Sequence, residues 1–522
     1  MKITHVKGVP GTGKTTFLLN TLKELKSDGY KMSQILYTTF RREMADDFLN
    51  RLGIKYAPYI STIHGISWRL LKSNLGYKDK DLVFPYKEYV KFCKSKNIEI
   101  NLNDLYNDEV EEIQQDMTLG GAAYTIYSNC INTLTDFADW TKLPEYMLPD
   151  VDDEEKVTDV IYDWVNYLEK NRKIDFPMML KKVYDEKLIP NVSVCMSDES
   201  HDMTFIQSEI FKIWCKKAEK VYIASDKNQC IYSFWGAYPD FCEEAEETAD
   251  EKIVLSPSHR ISQECYDLAK KVLEFSGQKS PDVECIGQTK IYYLDNFDQV
   301  FDVIRLYDNV AILARTRYHL RQIAEKLCDY GIIFKGLYGW KDEMLTVYSA
   351  IWKLRNNQNL TLDEVLHLLN YFDSKVFIAS PKRLEVLIKR VNKEEFTKDE
   401  VLKLFNSTYG ILIEKGDKPF ESTKFHWFDR EKMNNAIKFN TKPNVKVEIH
   451  TLHGSKGLEW DTVILLDGIT RRISKNILDY DEEFQNEFRV WYVGLTRARK
   501  RLFIVPFQTP LFIIPVIEKI NE

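Results

Sequence analysis

Short apolar runs alternate along this chain with segments of helical period. Residues 1–6 read as a strand, and Thr16-Phe17-Leu18-Leu19 opens a helix. Residues 192–196 form a β-rich run, while 309–313 and 462–466 look like strands buried on both faces, as parallel strands are. Thr361 with Glu364 and Thr397 with Glu400 have the spacing of two capping boxes, each followed by apolar residues at helical spacing. Residues 89–172 carry helical patterns rich in tyrosine and acidic side chains. The alternation predicts an α/β chain with two parallel sheets, each interrupted by a mainly helical insertion. The expected boundaries are 1–88 with 173–258 for the first sheet domain and 89–172 for its insertion, with Asp175-Phe176 marking the return. The second sheet domain is expected over 259–340 with 441–522, around an insertion at 341–440.

Composition narrows the class. Hydrophobic residues make up 44% of the 522 and charged residues 29%, and no apolar run approaches the roughly 18 residues that a membrane span needs. The start has no signal-peptide core, so a cytoplasmic chain with no membrane partner is expected. Nine cysteines lie scattered without CxxC pairs, which argues against a disulfide framework or a zinc site and for core thiols. A net charge of -7 does not advertise a nucleic-acid binder. Acidic runs at 150–155 and 243–251 are either two solvated faces or the counterpart of a groove lined elsewhere by basic and aromatic groups.

The strongest chemical signal lies near the start. Gly8-Val9-Pro10-Gly11-Thr12-Gly13-Lys14-Thr15 matches the P-loop pattern, directly after an apolar strand and before the helix that Thr16 opens. Glycines let backbone N–H groups wrap phosphates, the helix amino terminus adds favourable partial charge, and Lys14 brings an ammonium to the terminal phosphates. Thr15 would hold magnesium. Such a site needs a second acidic contribution at the end of a neighbouring strand, and the run 192–196 leads into Asp198-Glu199-Ser200-His201-Asp202. Asp198 suits the metal, and Glu199 suits the general base that orients water on the γ-phosphate. ATP and Mg2+ are the expected ligands.

From here the motif series resembles the UvrD/Rep/PcrA branch of superfamily 1 helicases, in order from residue 8 to about residue 505. Residues 35–40 followed by Glu43-Met44-Ala45 look like motif Ia, and Thr62-Ile63-His64-Gly65 looks like Ib. Asp198 to Asp202 is similar to the DExxD of motif II, and residues 225–237 resemble GDxxQSIYxWRGA, motif III. Ser258-His259-Arg260 stands where the family has NYR. Residues 451–460 resemble motif V, and Tyr492-Val493-Gly494-Leu495-Thr496-Arg497-Ala498 resembles motif VI.

The resemblance implies two RecA-type motor domains with ATP between them, and it assigns roles. Arg260 and Arg497 would be arginine fingers reaching the γ-phosphate from the second domain, although an isolated arginine is more often a surface ion-pair partner. Gln229 would sense the γ-phosphate and Glu459 would bind the ribose. Phe40, His64, Tyr232, Phe234, Trp235, His453 and Lys456 occupy the family's nucleic-acid positions, where aromatics stack bases and small polar or basic groups touch phosphates. Outside that context such aromatics are as readily core residues. The chain also departs from the pattern. Only residues 1–7 precede Gly8, which leaves no glutamine motif to read adenine. His259 replaces the tyrosine that stacks on the base, Ile63 an aromatic, and Trp235 an arginine.

The function so implied is ATP-driven 3′→5′ movement on single-stranded DNA with duplex unwinding at single-strand/duplex junctions, with replication or repair proteins as further partners. The rival is a translocase that strips proteins from DNA or works inside a larger complex, in keeping with a second insertion smaller than usual for the family. A non-enzymatic regulator is the third reading, and the complete set of catalytic residues opposes it.

Overall fold

The computed structural model of the chain describes residues 1–105, 117–479 and 481–521. Residues 106–116 of the first insertion lie outside the described residues. Two compact units are formed, Met1–Thr289 with Arg472–Thr496 and Val516–Glu522, and Lys290–Arg471 with Arg497–Pro515.

The first unit is organised around six parallel strands, β1 (Lys2–Lys7), β2 (Ile35–Thr39), β3 (Ile60–Thr62), β4 (Val194–Ser197), β5 (Lys220–Ser225) and β6 (Glu251–Val254), in the order β3-β2-β4-β5-β1-β6. Every residue of β2 and β4 is buried, which is why these strands read as continuous apolar runs rather than alternating ones. The P-loop follows β1, and the acidic segment follows β4. Helices Leu119–Thr133, Glu154–Lys170 and Phe176–Asp185 build the first insertion and its return, each started by a side-chain cap from Thr118, Asp153 or Asp175. Asp175 is fully buried and holds its carboxylate with hydrogen bonds from the Tyr127 hydroxyl (2.8 Å) and Trp164 Nε1 (3.0 Å). Burial pushes that carboxyl up from the usual range.

The first unit runs past residue 258 to Thr289 and takes in residues 472–496. Side-chain packing explains this. Helix Asp481–Leu495 lies on helix Gln263–Phe275, with the Phe275 and Phe488 rings stacked at 5.8 Å, and Ser233 Oγ donates to Asn486 Oδ1 at 3.3 Å.

The second unit also carries six parallel strands. β7 (Lys290–Tyr293), β8 (Val310–Ala314) and β9 (Phe334–Gly336) precede a helical insertion, which contains a two-stranded pair, β10 (Leu360–Thr361) and β11 (Glu395–Phe396). β12 (Val447–Thr451), β13 (Trp460–Asp467) and β14 (Ala498–Pro506) follow, and the sheet order is β7-β14-β13-β8-β12-β9. β8 is buried at every position, as its Val-Ala-Ile-Leu-Ala sequence predicts. Both capping boxes in the insertion form, with the Thr361 and Thr397 side chains accepting from the amides of Glu364 and Glu400. All nine cysteines are buried free thiols. The expected fold class, two parallel-sheet α/β domains with mainly helical insertions, is the one observed.

Candidate active site

The P-loop bends because Gly11 and Gly13 adopt left-handed backbone (φ 82° and 85°), and Gly13 caps the helix Lys14–Ser27. A Cβ on Gly11 would come within 2.4 Å of Arg260 Cβ, so the glycine is also required by close approach. Thr12 Oγ1 donates to the Val9 carbonyl at 2.9 Å, and Lys14 Nζ donates to the Gly8 carbonyl at 2.8 Å, curling the loop on itself. Thr15 Oγ1 donates to Asp198 Oδ2 at 2.6 Å across 183 residues of sequence, and Tyr37 donates to the same oxygen at 3.1 Å. Thr16 is exposed and accepts from Arg51 Nη2.

Asp198 is 1% exposed. Burial pushes its carboxyl up, and the neighbouring Glu199 charge acts the same way, while Thr15, Lys14 and Tyr37 pull it back. A buried carboxylate beside a threonine hydroxyl is a hard-oxygen donor set of the kind that suits Mg2+. Glu199 itself stands in left-handed backbone (φ 52°, ψ 41°), an uncommon conformation for a residue with a side chain and one that clusters at functional sites. Its Oε2 lies 3.1 Å from His201 Nε2.

Gln229 is buried in the turn after β5, where its Nε2 donates to Asp226 Oδ2 at 2.7 Å. Ser258 Oγ donates to the Pro10 carbonyl (2.7 Å) and the His259 amide to the Gly11 carbonyl (3.1 Å), so the Ser258-His259-Arg260 segment lies directly on the P-loop. Arg260 was expected on the second sheet domain; it lies in the first unit, because the Ser258-His259 pair next to it hydrogen-bonds to the P-loop carbonyls of Pro10 and Gly11. The His259 side chain is exposed. It does not cap the next helix, since Ser262 accepts from the Cys265 amide in that role.

A cavity of about 420 Å³ opens beside Asp198 and Glu199. Phe40, His64, Tyr232, Phe234 and Trp235 line it, together with Tyr124 and Asn132 of the insertion. Tyr232 is sandwiched, with Phe40 at 5.0 Å and 20° on one side and Trp235 at 5.5 Å and 14° on the other. Arg41 Nη2 donates to the Tyr232 hydroxyl at 3.0 Å. His64 meets Phe176 edge-on at 5.7 Å, and burial lowers its pKa to about 4, leaving a neutral imidazole near pH 7.

The remaining predicted residues belong to the second unit. Arg497 is 1% exposed and donates from Nη1 to the Leu458 carbonyl at 3.3 Å, next to Glu459, whose carboxylate lies 3.4 Å from Arg499. His453 and Lys456 are buried in the turn after β12.

Two family descriptions match this chain. Residues 2–250 match the UvrD/REP helicase N-terminal domain, and residues 446–505 match the UvrD-like helicase C-terminal domain. The chain belongs to the UvrD/Rep-like helicase family. It is an ATP-dependent helicase of a family that acts on DNA. Among similar proteins, the probable DNA helicase II homolog of Mycoplasma pneumoniae is 23% identical over 606 aligned positions, covering 95% of this chain and 80% of the relative. The homolog of Mycoplasma capricolum subsp. capricolum is 22% identical, with coverages of 95% and 81%. The ATP-dependent DNA helicase Rep of Buchnera aphidicola subsp. Baizongia pistaciae is 21% identical, covering 95% and 88%.

Three residues of this UvrD/Rep-like site escaped the sequence reading. Tyr37 was hidden because its partner Asp198 is on the neighbouring strand of the sheet. Arg41 follows Phe40 directly, so a basic residue beside a stacking ring was the available signal. His201 stands inside the DExxD string, at a position the pattern leaves open.

Proposed function

We propose that this UvrD/Rep-like helicase hydrolyses ATP with Mg2+ to move 3′→5′ along single-stranded DNA and to open duplex at junctions. The observation that carries the reading is the single cavity lined both by Asp198 and Glu199 and by Phe40, Tyr232, Phe234 and Trp235. Hydrolytic carboxylates and stacking rings thus share one wall, the arrangement needed for strand contact to influence turnover.

In the proposed reaction the P-loop amides and Lys14 hold the β- and γ-phosphates. Thr15 and Asp198 would hold Mg2+, which supplies positive charge to the phosphate oxygens. Glu199 accepts a proton from the attacking water as its oxygen bonds to the γ-phosphorus and the bridging oxygen leaves with ADP. Gln229, Arg260 and Arg497 act on the γ-phosphate, in keeping with their motif positions, and His259 and Glu459 serve the base and ribose. Phe40, His64, Tyr232, Phe234, Trp235, His453 and Lys456 hold the strand. The 3′→5′ polarity rests on the motif V form at Gly454 to Glu459 alone. The insertion of about a hundred residues at 341–440 favours, as a second reading, a translocase that unwinds little without replication or repair partners.

The test is ATP turnover with and without single-stranded DNA, with EDTA as the metal control, then unwinding of duplexes carrying 3′ or 5′ tails. DNA-stimulated, EDTA-sensitive turnover with opening of 3′-tailed duplex is expected. Opening of 5′-tailed duplex only would reverse the polarity, and stimulation without unwinding would select the translocase.

A further inference from the structure

His201 has not been given a role, yet its side chain reaches from the turn after β4 to the turn after β5. It is fully buried. The Asp226 backbone amide donates to its Nδ1 at 3.1 Å. An amide nitrogen is a donor only, so Nδ1 is the unprotonated nitrogen of a neutral ring and Nε2 carries the hydrogen. That Nε2 lies 3.1 Å from Glu199 Oε2, nearer than the 3.9 Å to Asp202 Oδ2, so it touches the Glu199 carboxylate without being aligned for a hydrogen bond in this geometry. Asp226 in turn accepts from Gln229 Nε2 at 2.7 Å. One imidazole therefore touches the Glu199 carboxylate on one side and is hydrogen-bonded on the other to Asp226, which opens the turn that bears Gln229. The carboxylate needs such a hold, because the left-handed backbone at Glu199 leaves it outside the regular geometry of both the strand before it and the turn after it.

We propose that His201 is a positioning residue, which aims the Glu199 carboxylate at the attacking water and registers it against the Gln229 turn. The proposal rests on the reading of Glu199 as the base. What the position requires is one acceptor for the Asp226 amide and one donor for Glu199. A glutamine side chain offers both, leucine neither, and asparagine is too short to reach both.

The experiment measures kcat and KM for ATP, with and without oligo-dT, in His201→Gln, His201→Leu, His201→Asn, Glu199→Gln and the His201→Leu/Glu199→Gln pair. His201→Leu should lose kcat on the order of 10²-fold, the scale of a misplaced catalytic group, with KM little changed. His201→Gln should restore turnover to near the wild-type rate. The double variant should be no slower than Glu199→Gln alone, since the imidazole acts only through that carboxylate. Should the leucine variant melt early, His201→Asn replaces it, with the same loss of kcat expected. Wild-type kcat in the folded His201→Leu or His201→Asn protein, a glutamine variant as slow as the leucine one, or additive losses in the pair would each overturn the proposal. Normal turnover in Glu199→Gln would instead remove the base reading itself, and this proposal with it.

Discussion

The two sheets share one construction, six parallel strands with buried central members, but they carry their polar residues at different ends. In the first, β1 leads into the P-loop, β4 into Asp198 and Glu199, and β5 into Asp226, Gln229 and the aromatic turn. Every one of these groups lies past the carboxyl end of its strand, where the strand order of an open parallel sheet leaves room for a ligand. They hydrogen-bond to one another, as Thr15 does to Asp198 and Gln229 to Asp226. In the second sheet the motif residues divide. His453 and Lys456 follow β12, whereas Glu459 precedes β13 and Arg497 precedes β14. Arg497 is buried and donates to the Leu458 backbone carbonyl. In the first sheet the motif groups bond to one another, whereas in the second Arg497 holds a backbone carbonyl and Glu459 faces Arg499. Chemistry lost from the first unit should therefore be separable from stability more readily than chemistry lost from the second.

The largest effects should fall on the first cluster. Lys14→Ala should weaken nucleotide binding and abolish turnover, while Glu199→Gln should keep binding and lose about 10²-fold or more in kcat. Equilibrium nucleotide binding measured beside steady-state turnover separates the two, and near-normal turnover in Glu199→Gln would end its candidacy as base.

The arginines set the units against each other. Arg260→Ala and Arg497→Ala should each cost roughly 10³-fold in turnover at saturating DNA. Their melting curves should differ. Arg260 is half-buried, so its removal should leave the unfolding temperature nearly unchanged, whereas removing the buried Arg497 loses its packing and its hydrogen bond and should cost about 1–3 kcal/mol. Equal melting temperatures for the two variants would break the comparison.

A smaller effect is expected at the stacked rings. Tyr232→Ala or Trp235→Ala should weaken single-strand binding by about 1–3 kcal/mol while leaving KM for ATP in the absence of DNA unchanged. Fluorescence anisotropy of a labelled oligonucleotide provides the measurement; an unaltered dissociation constant in both would make the stack a core feature. The smallest change should come from His259, whose side chain is exposed. His259→Ala should reduce ATP affinity by no more than about 0.5–1.5 kcal/mol, and His259→Tyr should sharpen preference for ATP over the other triphosphates. Unchanged affinity in His259→Ala would leave the segment with only its backbone contact to Gly11.

Much of this was legible because the relevant forces are local. The capping boxes at Thr361 and Thr397 need only four consecutive residues, and the strands at 192–196 and 309–313 announce themselves by continuous apolar character. The P-loop is likewise a local string. What the sequence hid depends on strand neighbours. Tyr37 meets Asp198 because β2 pairs with β4, and His201 meets the Asp226 amide because β4 pairs with β5. No periodicity carries that information. The membership of helix Asp481–Leu495 in the first unit was hidden for a similar reason, since it depends on a ring of Phe488 finding Phe275 some two hundred positions earlier.

The left-handed backbone at Glu199 has an evolutionary side. Glycine adopts that conformation freely, while a residue with a Cβ is disfavoured there by about 1 kcal/mol. A population of variants selected for heat resistance alone would thus drift toward glycine at 199 and lose the carboxylate without harming the fold. With Glu199 as the proposed base, keeping glutamate at that position would be a stability–activity trade-off in favour of turnover.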